Sequence, residues 1–146
     1  MSDFRRLDET VFASPQIGTD DIAEAQAQGV TLVINNRPDG EADDQPAGAE
    51  IEAAAREAGL DYTAIPIGGS GFGEPQVQAM AEALAGADGK VLAYCRSGTR
   101  STLLWALAQA QAGGDPEEIA AAAAAAGYDI APVRPAVDML AARART

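Results

Sequence analysis

The segment KVLAYCRSGTRS, residues 90–101, joins an apolar strand to a helix through a short polar loop. The run Lys90–Tyr94 predicts a strand that stops at Cys95, and a helix is expected to begin near Ser101. A strand that passes through a tight loop straight into a helix is typical of a parallel α/β sheet. Ligand sites in such folds lie beyond the carboxyl ends of the strands, so this loop is the first candidate for function.

Three more apolar segments predict strands, and helical segments separate them. The strands are expected at residues 11–13, 30–34 and 62–67, and the apolar run at 30–34 is typical of a strand buried on both faces. The chain is therefore predicted to form a single α/β domain over residues 1–146, with a mostly parallel four-stranded sheet flanked by helices and a helical C-terminal third. The helices are expected over about residues 20–28, 47–58, 74–85, 101–113, 115–126 and 132–144.

The composition excludes several classes of protein. The formal net charge is −12, and the sequence has no histidine and one cysteine. Nucleic acid and anionic membrane surfaces need a basic face, so neither is an expected partner. Without histidine there can be no Ser-His-Asp triad and no His-ligated metal, and one cysteine forms neither an internal disulfide nor a metal cluster. No metal and no cofactor are therefore expected.

The sequence also bears on location. Its apolar runs are too short to span a bilayer, and the charged residues at the start are not followed by an apolar stretch of the kind found in a signal peptide. We therefore expect a cytoplasmic protein. The sequence leaves its oligomeric state open.

The loop after residue 94 carries the chain's one cysteine. Successive backbone N–H groups and the positive end of the next helix would form an anion-binding nest, and Arg100 would add a fixed positive charge. These groups would stabilise a thiolate at Cys95, and a hydrogen bond from Ser101 to the sulfur would tune it. Glycine at position 98 allows a turn that a side chain would obstruct. We predict catalytic roles for Cys95, Arg100 and Ser101, and anion binding by Arg96, Ser97, Gly98 and Thr99.

A second polar loop follows the strand at residues 30–34 and has the sequence NNRPDGE, residues 35–41. Asn35 or Asn36 could brace the cysteine loop, and Arg37 could bind substrate. The alternative is local turn chemistry, because Pro-Asp-Gly is a strong turn former. Both interpretations stay open, with Arg37 the better candidate for a substrate contact. The acidic residues of this region are expected to mark a solvated loop; they are Glu41, Asp43 and Asp44.

These motifs resemble known families. The loop from Cys95 to Ser101 is similar to the active-site loops of the rhodanese sulfurtransferases and of the protein tyrosine and dual-specificity phosphatases. More closely, the chain from Phe4 to about Leu140 resembles the bacterial phosphatase-like domain of beta-lactamase-hydrolase-like proteins, a family also labelled as sulfurtransferases. The resemblance implies a dual-specificity-phosphatase-like fold and leaves two chemistries open. The matching motifs are Ser14-Pro15-Gln16-Ile17, Ile34 to Glu41, the Cys95 loop, Leu104-Trp105-Ala106 and Gly127-Tyr128-Asp129.

Three features favour the sulfurtransferase chemistry. Four residues separate Cys95 from Arg100, as in the rhodaneses, whereas the tyrosine phosphatases have five. Tyr94 stands where the phosphatases usually carry a histidine. The stretch 67–73, where they place an aspartic general acid, has no carboxylate. Sulfur transfer needs no such acid, because the leaving group is sulfite or a thiolate.

The main prediction is therefore a sulfurtransferase. Cys95 would take sulfane sulfur from a small anionic donor, thiosulfate or a persulfide, hold it as a persulfide, and pass it to an external thiol or cyanide. The alternative is a phosphatase-like phosphomonoesterase with a phosphocysteine intermediate, whose acid would be Asp39, Glu41 or Glu74. A third interpretation is a non-catalytic thiol redox sensor that is oxidised at Cys95.

Replacing Cys95 with serine is expected to abolish catalysis and to leave the fold intact. The change removes the nucleophile while it keeps the size and a polar atom at this position. Steady-state turnover, measured beside a thermal melt, checks the prediction. Substantial activity in a well-folded variant would contradict the assignment of Cys95 as the nucleophile.

Overall fold

The computed structural model describes residues 2–145 and contains one five-stranded sheet. Its strands are β1 (Arg5–Arg6), β2 (Val11–Ser14), β3 (Val30–Asn35), β4 (Asp61–Ala64) and β5 (Lys90–Tyr94). They lie in the order β1-β2-β5-β3-β4, and every neighbouring pair is parallel except β1 with β2. The predicted α/β fold with a mostly parallel sheet is confirmed. The ends of the predicted domain, Met1 and Thr146, lie outside the described residues.

Strand β1 is an addition to the four predicted strands. It has two residues and pairs antiparallel with residues 12–13 of β2 at the edge of the sheet. A strand this short shows no alternation of apolar and polar residues, which is the signal that reveals strands in a sequence. Its existence therefore depends on the neighbour with which it pairs.

Strand β4 ends at Ala64, three residues before the predicted end at Ile67. Pro66 has no N–H to donate to a neighbouring strand. The N–H of Ile67 donates instead to the carbonyl of Asn36, at 3.0 Å, in the loop beyond β3. The end of the predicted strand therefore lies against the loop that follows β3 instead of extending β4.

Helices cover both faces of the sheet. Within residues 2–145 they are α1 (Asp21–Ala27), α2 (Gly48–Glu57), α3 (Glu74–Gly86), α4 (Thr99–Gln111), α5 (Pro116–Ala125) and α6 (Arg134–Ala144), with a 3₁₀ turn at Ala131–Val133. Helix α4 begins at Thr99, two residues before the predicted start, because Gly98 already turns the chain. None of the helices in this part of the chain is long and apolar enough to cross a membrane.

The two faces of the sheet support two separate cores. Successive strand residues point to opposite faces, so Val33 and Leu92 pack with α1 and α2, whereas Ile34 and Ala93 pack with α3 to α6. Helix α4 is buried on most of its surface, because it lies between the sheet and its neighbours α3, α5 and α6. The N-terminus of α4 is therefore held in a fixed position relative to the sheet.

The register of the sheet brings three strand ends together. Tyr94, the last residue of β5, pairs with Ser14 at the end of β2 and with Asn35 at the end of β3. The loops that follow these strands therefore meet at one edge of the sheet. This edge is where parallel α/β folds bind ligands.

Candidate active site

The thiol of Cys95 lies at the start of the loop that joins β5 to α4. Its backbone N–H donates to the carbonyl of Ser14 at 3.3 Å, which ties the loop to the end of β2. The side chain has no exposed surface, and its sulfur accepts a hydrogen bond from the N–H of Gly98 at 3.1 Å. The loop thus folds back on the sulfur and places an N–H donor where negative charge on a thiolate would develop.

Gly98 lets the loop make this turn. Its φ of 93° lies in the left-handed region that favours glycine. A Cβ at this position would lie 2.1 Å from the hydroxyl oxygen of Tyr128, so contact excludes a side chain as well. The hydroxyl of Thr102 donates to the Gly98 carbonyl at 2.9 Å and holds the turn against the start of α4.

The other side chains of the loop lie on the outside. Arg96, Ser97 and Thr99 are exposed, and the Ser97 hydroxyl donates to Thr99 Oγ1 at 3.0 Å. The N–H of Thr99 donates to Ser97 Oγ at 3.4 Å. The predicted ring of N–H donors around the sulfur is therefore present in part: Gly98 supplies the N–H that reaches Cys95.

The guanidinium of Arg100 is held beside the sulfur by two groups. Nη1 donates to the carbonyl of Ile67 at 2.9 Å, and Nη1 and Nη2 form a bidentate ion pair with Glu41 at 2.7 and 2.8 Å. The hydrogen bonds to Glu41 raise the pKa of Arg100, and the neighbouring Cys95 also raises it. A permanent positive charge is thus fixed next to the candidate nucleophile.

Glu41 is also held by a second arginine. Arg37 donates from Nε to Glu41 Oε1 and from Nη1 to Gln16 Oε1, both at 3.0 Å. The hydrogen bond from Arg100, together with that from Arg37, lowers the pKa of Glu41 to about 2. Arg37 is 5% exposed, so in this structure it holds Glu41 rather than facing an incoming substrate. Glu41 is exposed, as predicted for this loop, and in addition it pairs with Arg100, which is 59 residues away in the sequence.

Asn36, rather than Asn35, braces the start of α4. The Ser101 hydroxyl donates to Asn36 Oδ1 at 2.8 Å, and Asn36 Nδ2 donates to the Ile65 carbonyl at 2.9 Å. A hydroxyl has one proton to give, so the predicted hydrogen bond from Ser101 to the sulfur is wrong. Ser101 instead fixes α4 against the end of β3. The side chain of Asn35 accepts from the Arg37 N–H at 2.9 Å and shapes its own loop.

Each of the three carboxylates predicted as a phosphatase acid has another place in the structure. Glu41 is ionised at neutral pH and paired with two arginines. Asp39 accepts a hydrogen bond from the Gly48 N–H at 2.8 Å, at the start of α2. Glu74 begins α3 and lines a groove beside α4 and α6. In this structure Glu41 and Asp39 are therefore held by other partners, and Glu74 lies in that groove.

Tyr94 contributes to the core rather than to the site. It is 1% exposed and packs in the core beneath α1 and α2, because neighbouring residues of a strand point to opposite faces. Burial raises the pKa of Tyr94, so its phenol is neutral at physiological pH. The position before the nucleophile therefore provides no charge.

Tyr128 is a site residue that the sequence did not reveal as one. Its hydroxyl donates to the carbonyl of Ser97 at 3.0 Å, and the guanidinium carbon of Arg5 lies 5.1 Å from its ring centroid. The motif Gly127-Tyr128-Asp129 marked this position as part of the family resemblance. Its contact with a loop 31 residues earlier follows only from the packing of the C-terminal helices.

The fold and the site together define a domain of the cysteine-phosphatase type: a parallel sheet delivers a cysteine into a loop, and an arginine of the next helix lies beside the sulfur. The chain belongs to the family of the phosphatase-like domain of the beta-lactamase hydrolase-like protein, whose model matches residues 3–112. The resemblance predicted from the sequence is confirmed. The family model ends before α5, so Tyr128 lies outside the matched residues.

Curated relatives carry the same family name. The beta-lactamase hydrolase-like protein of Xylella fastidiosa is 38% identical over 125 residues, which cover 85% of this chain and 29% of that protein. Its counterpart from Agrobacterium fabrum is 39% identical over 101 residues, which cover 69% of this chain and 23% of that protein. The chain therefore spans less than a third of the length of these relatives.

Solved structures share the fold over nearly the whole chain. A protein from Neisseria meningitidis, described as a candidate phosphatase, is 32% identical with a TM-score of 0.83, covering 96% of this chain and 99% of that one. A candidate phosphatase from Shewanella putrefaciens is 22% identical with a TM-score of 0.76, covering 98% of this chain and 93% of that one. The second likeness shows the fold alone. The predicted phosphatase-like fold is thus confirmed.

Replacing Glu41 with glutamine is expected to lower the free energy of unfolding at neutral pH, because it removes the carboxylate held between Arg37 and Arg100. Folding lowers the pKa of Glu41 from its ordinary 4.5 to about 2. Its contribution is therefore complete above pH 4.5 and disappears as the pH falls towards 2. Urea unfolding at a series of pH values should show a difference between wild type and E41Q that is constant at high pH and shrinks below pH 4.5.

The matched control is Glu52→Gln, which removes an exposed carboxylate paired with Arg56 across one turn of α2. Exposed pairs of this kind contribute little to stability. A loss of stability in E52Q as large as that in E41Q would show that the ion pairs of Glu41 contribute no more to the free energy of unfolding than an exposed pair does.

Proposed function

We propose that the protein is a cysteine-dependent phosphomonoesterase in which Cys95 carries the phosphoryl group as phosphocysteine. The observation behind the proposal is the Cys95 sulfur, with the Gly98 N–H 3.1 Å away and the Arg100 guanidinium beside it. Membership of a phosphatase-like family and the likeness to the candidate phosphatase of Neisseria meningitidis support it. Because these findings support phosphate chemistry more directly than sulfur chemistry, the order of the two sequence-based predictions is reversed.

The reaction would proceed in two steps. In the first, the Cys95 thiolate attacks phosphorus, the Sγ–P bond forms, and the P–O bond to the leaving group breaks with its electron pair on that oxygen. In the second, water attacks phosphorus, the Sγ–P bond breaks, and inorganic phosphate leaves while a water proton passes to solvent. The thiolate is then restored, so the cycle needs no other co-reactant.

Arg100 has donors left for the phosphoryl oxygens. A guanidinium carries five N–H groups, and Glu41 and Ile67 take two from Nη1 and one from Nη2. The Nε–H and the other Nη2–H form an adjacent pair, the fork that matches two oxygens of a phosphoryl group. Glu41 would therefore orient the arginine while the substrate uses its opposite edge.

The placement of the carboxylates limits the leaving group. Glu41 is ionised and paired with two arginines, and Asp39 accepts from the Gly48 N–H, so we propose that the leaving oxygen departs without a proton from either of them. A phenolate leaves in this way far more easily than an alkoxide does. The substrates we propose are accordingly aryl phosphate monoesters.

Sulfane sulfur transfer is the second candidate, and the same observations favour it. Cys95 would attack the outer sulfur of thiosulfate, the S–S bond would break, and sulfite would leave with the electron pair and without a proton. An external thiol or cyanide would then take the sulfur from the persulfide. The four-residue spacing from Cys95 to Arg100 also fits this chemistry.

In either chemistry, residues 1–146 are proposed to act as one catalytic domain with a free thiol. The chain has no second cysteine that could resolve an oxidised Cys95 internally. A thiol of this kind persists in a reducing compartment, so we propose the cytoplasm as its location.

Turnover and intact mass together test the proposal. Wild-type protein is expected to hydrolyse an aryl phosphate, to show a transient mass gain of one phosphoryl group, and to lose both properties in Cys95→Ser. Incubation with thiosulfate is the second arm. A stable gain of one sulfur that cyanide removes, without hydrolysis of the aryl phosphate, would overturn the phosphatase proposal in favour of sulfur transfer. No adduct and no turnover in either arm would overturn both.

Replacing Gly69 with aspartate is expected to extend hydrolysis to alkyl phosphates. The position lies in the stretch where phosphatases place their acid, nothing lies within 4 Å of a Cβ built there, and its φ suits any residue. General acid catalysis is typically worth about a hundredfold or more in rate. Gly69→Asn is the matched control, with the same size and no acid. Equal rates of the two variants on an alkyl phosphate would show that a missing acid does not limit the reaction.

A further inference from the structure

The peptide group between Ser97 and Gly98 makes a hydrogen bond through its N–H and another through its carbonyl. Its N–H donates to the Cys95 sulfur at 3.1 Å, and its carbonyl accepts from the Tyr128 hydroxyl at 3.0 Å. In a planar trans peptide the N–H and the carbonyl point in opposite directions, and the described residues contain no cis peptide. The hydrogen bond to Tyr128 therefore fixes the direction in which the N–H points.

The turn itself does not fix this direction. A rotation of the peptide plane by about half a turn changes ψ of Ser97 and φ of Gly98, and glycine occupies positive and negative φ with equal ease. The rotated peptide would present the Ser97 carbonyl oxygen to the sulfur and would repel a thiolate. Something outside the loop must hold the productive orientation.

We propose that Tyr128 is a positioning residue that locks the Ser97–Gly98 peptide with its N–H towards Cys95. The proposal deepens the function proposed above, since it rests on Cys95 as the nucleophile. Tyr128 contacts the loop backbone, so its effect would reach the reaction through the state of the sulfur.

The surroundings of Tyr128 suit this role. The residue is 8% exposed, and its hydroxyl lies 2.1 Å from where a Cβ of Gly98 would be, so the phenol rests directly against the turn. Burial raises the pKa of Tyr128, which keeps the hydroxyl a donor at physiological pH. Arg5 lies over the ring and also donates to the Ala126 carbonyl at 3.5 Å, which holds the tyrosine from behind.

The test is Tyr128→Phe, which removes one hydroxyl and keeps the ring. Because the chain has one cysteine, the ultraviolet absorbance of its thiolate can be followed against pH as the difference between each protein and its Cys95→Ser counterpart, which subtracts the three tyrosines of the chain. Loss of the hydrogen bond is expected to lower the thiolate-to-thiol ratio of Cys95 by roughly twofold to tenfold at a given pH. The rate kcat on an aryl phosphate should fall with it, KM should change little, and a higher assay pH should restore kcat.

Tyr62→Phe is the matched control. It removes a hydroxyl that accepts from the Asn35 amide at 3.0 Å, away from the cysteine loop. Its thiolate titration should coincide with that of the wild type. A folded Y128F whose titration also coincides with wild type would overturn the proposal, even if the variant were less stable to heat.

A second measurement needs no variant. In wild-type protein the Gly98 amide proton resonance should shift with the same midpoint as the thiolate absorbance, because that N–H faces the sulfur. If the Gly98 amide resonance did not shift as Cys95 titrates, that result alone would overturn the proposal. Neither the thiolate titration nor the amide titration uses a substrate, so an absence of turnover would count against the phosphatase function and leave these two results unaffected.

Discussion

The reversal of the chain between β5 and α4 is the constraint on which the rest of the structure depends. Strand β5 lies in the middle of the sheet, α4 is the most buried helix of its layer, and four residues, 95–98, connect them. Gly98 makes the turn within this connection with a φ of 93°, in the left-handed region that glycine adopts readily. The same turn brings the Gly98 N–H to the Cys95 sulfur. The geometry that closes the fold therefore also builds the site.

The carboxylate of Glu41 holds the two arginines of the site in place. In a chain with a net charge of −12, Arg37 and Arg100 lie on two sides of Glu41. The carboxylate relieves the repulsion between the two guanidinium groups and fixes the plane of each. Arg100 thereby keeps one edge towards Glu41 and leaves the other edge for the anion that we propose to bind at Cys95. Asn36 acts in a similar way without charge, since it links the end of β3 to Ser101 in α4.

The fold and the site are compatible with a small set of reactions at Cys95, and they do not determine whether a phosphoryl group or a sulfur atom is transferred. A thiolate beside an N–H donor and a guanidinium can attack phosphorus in a phosphate ester or sulfur in thiosulfate, because both substrates are small anions. The proposed reactions are restricted more strongly in their leaving group, since Glu41 is ionised and Asp39 is held by the Gly48 N–H. Phenolate and sulfite both leave without a proton. The leaving group therefore does not distinguish the two proposed reactions.

Local patterns in the sequence determined the four main strands, the positions of the helices, and the loop that carries Cys95, because periodicity, glycine and proline act over a few residues. The matching motifs between Ser14 and Asp129 also indicated the family. The tertiary structure alone decided the partners of the site residues. Glu41 pairs with a residue 59 positions away, Ser101 bonds to one 65 positions away, and Tyr128 reaches a carbonyl 31 positions away. Such contacts are set by the register of the sheet and the packing of helices, which no local pattern records. For the same reason β1 and the orientation of the Ser97–Gly98 peptide became visible only in the folded chain.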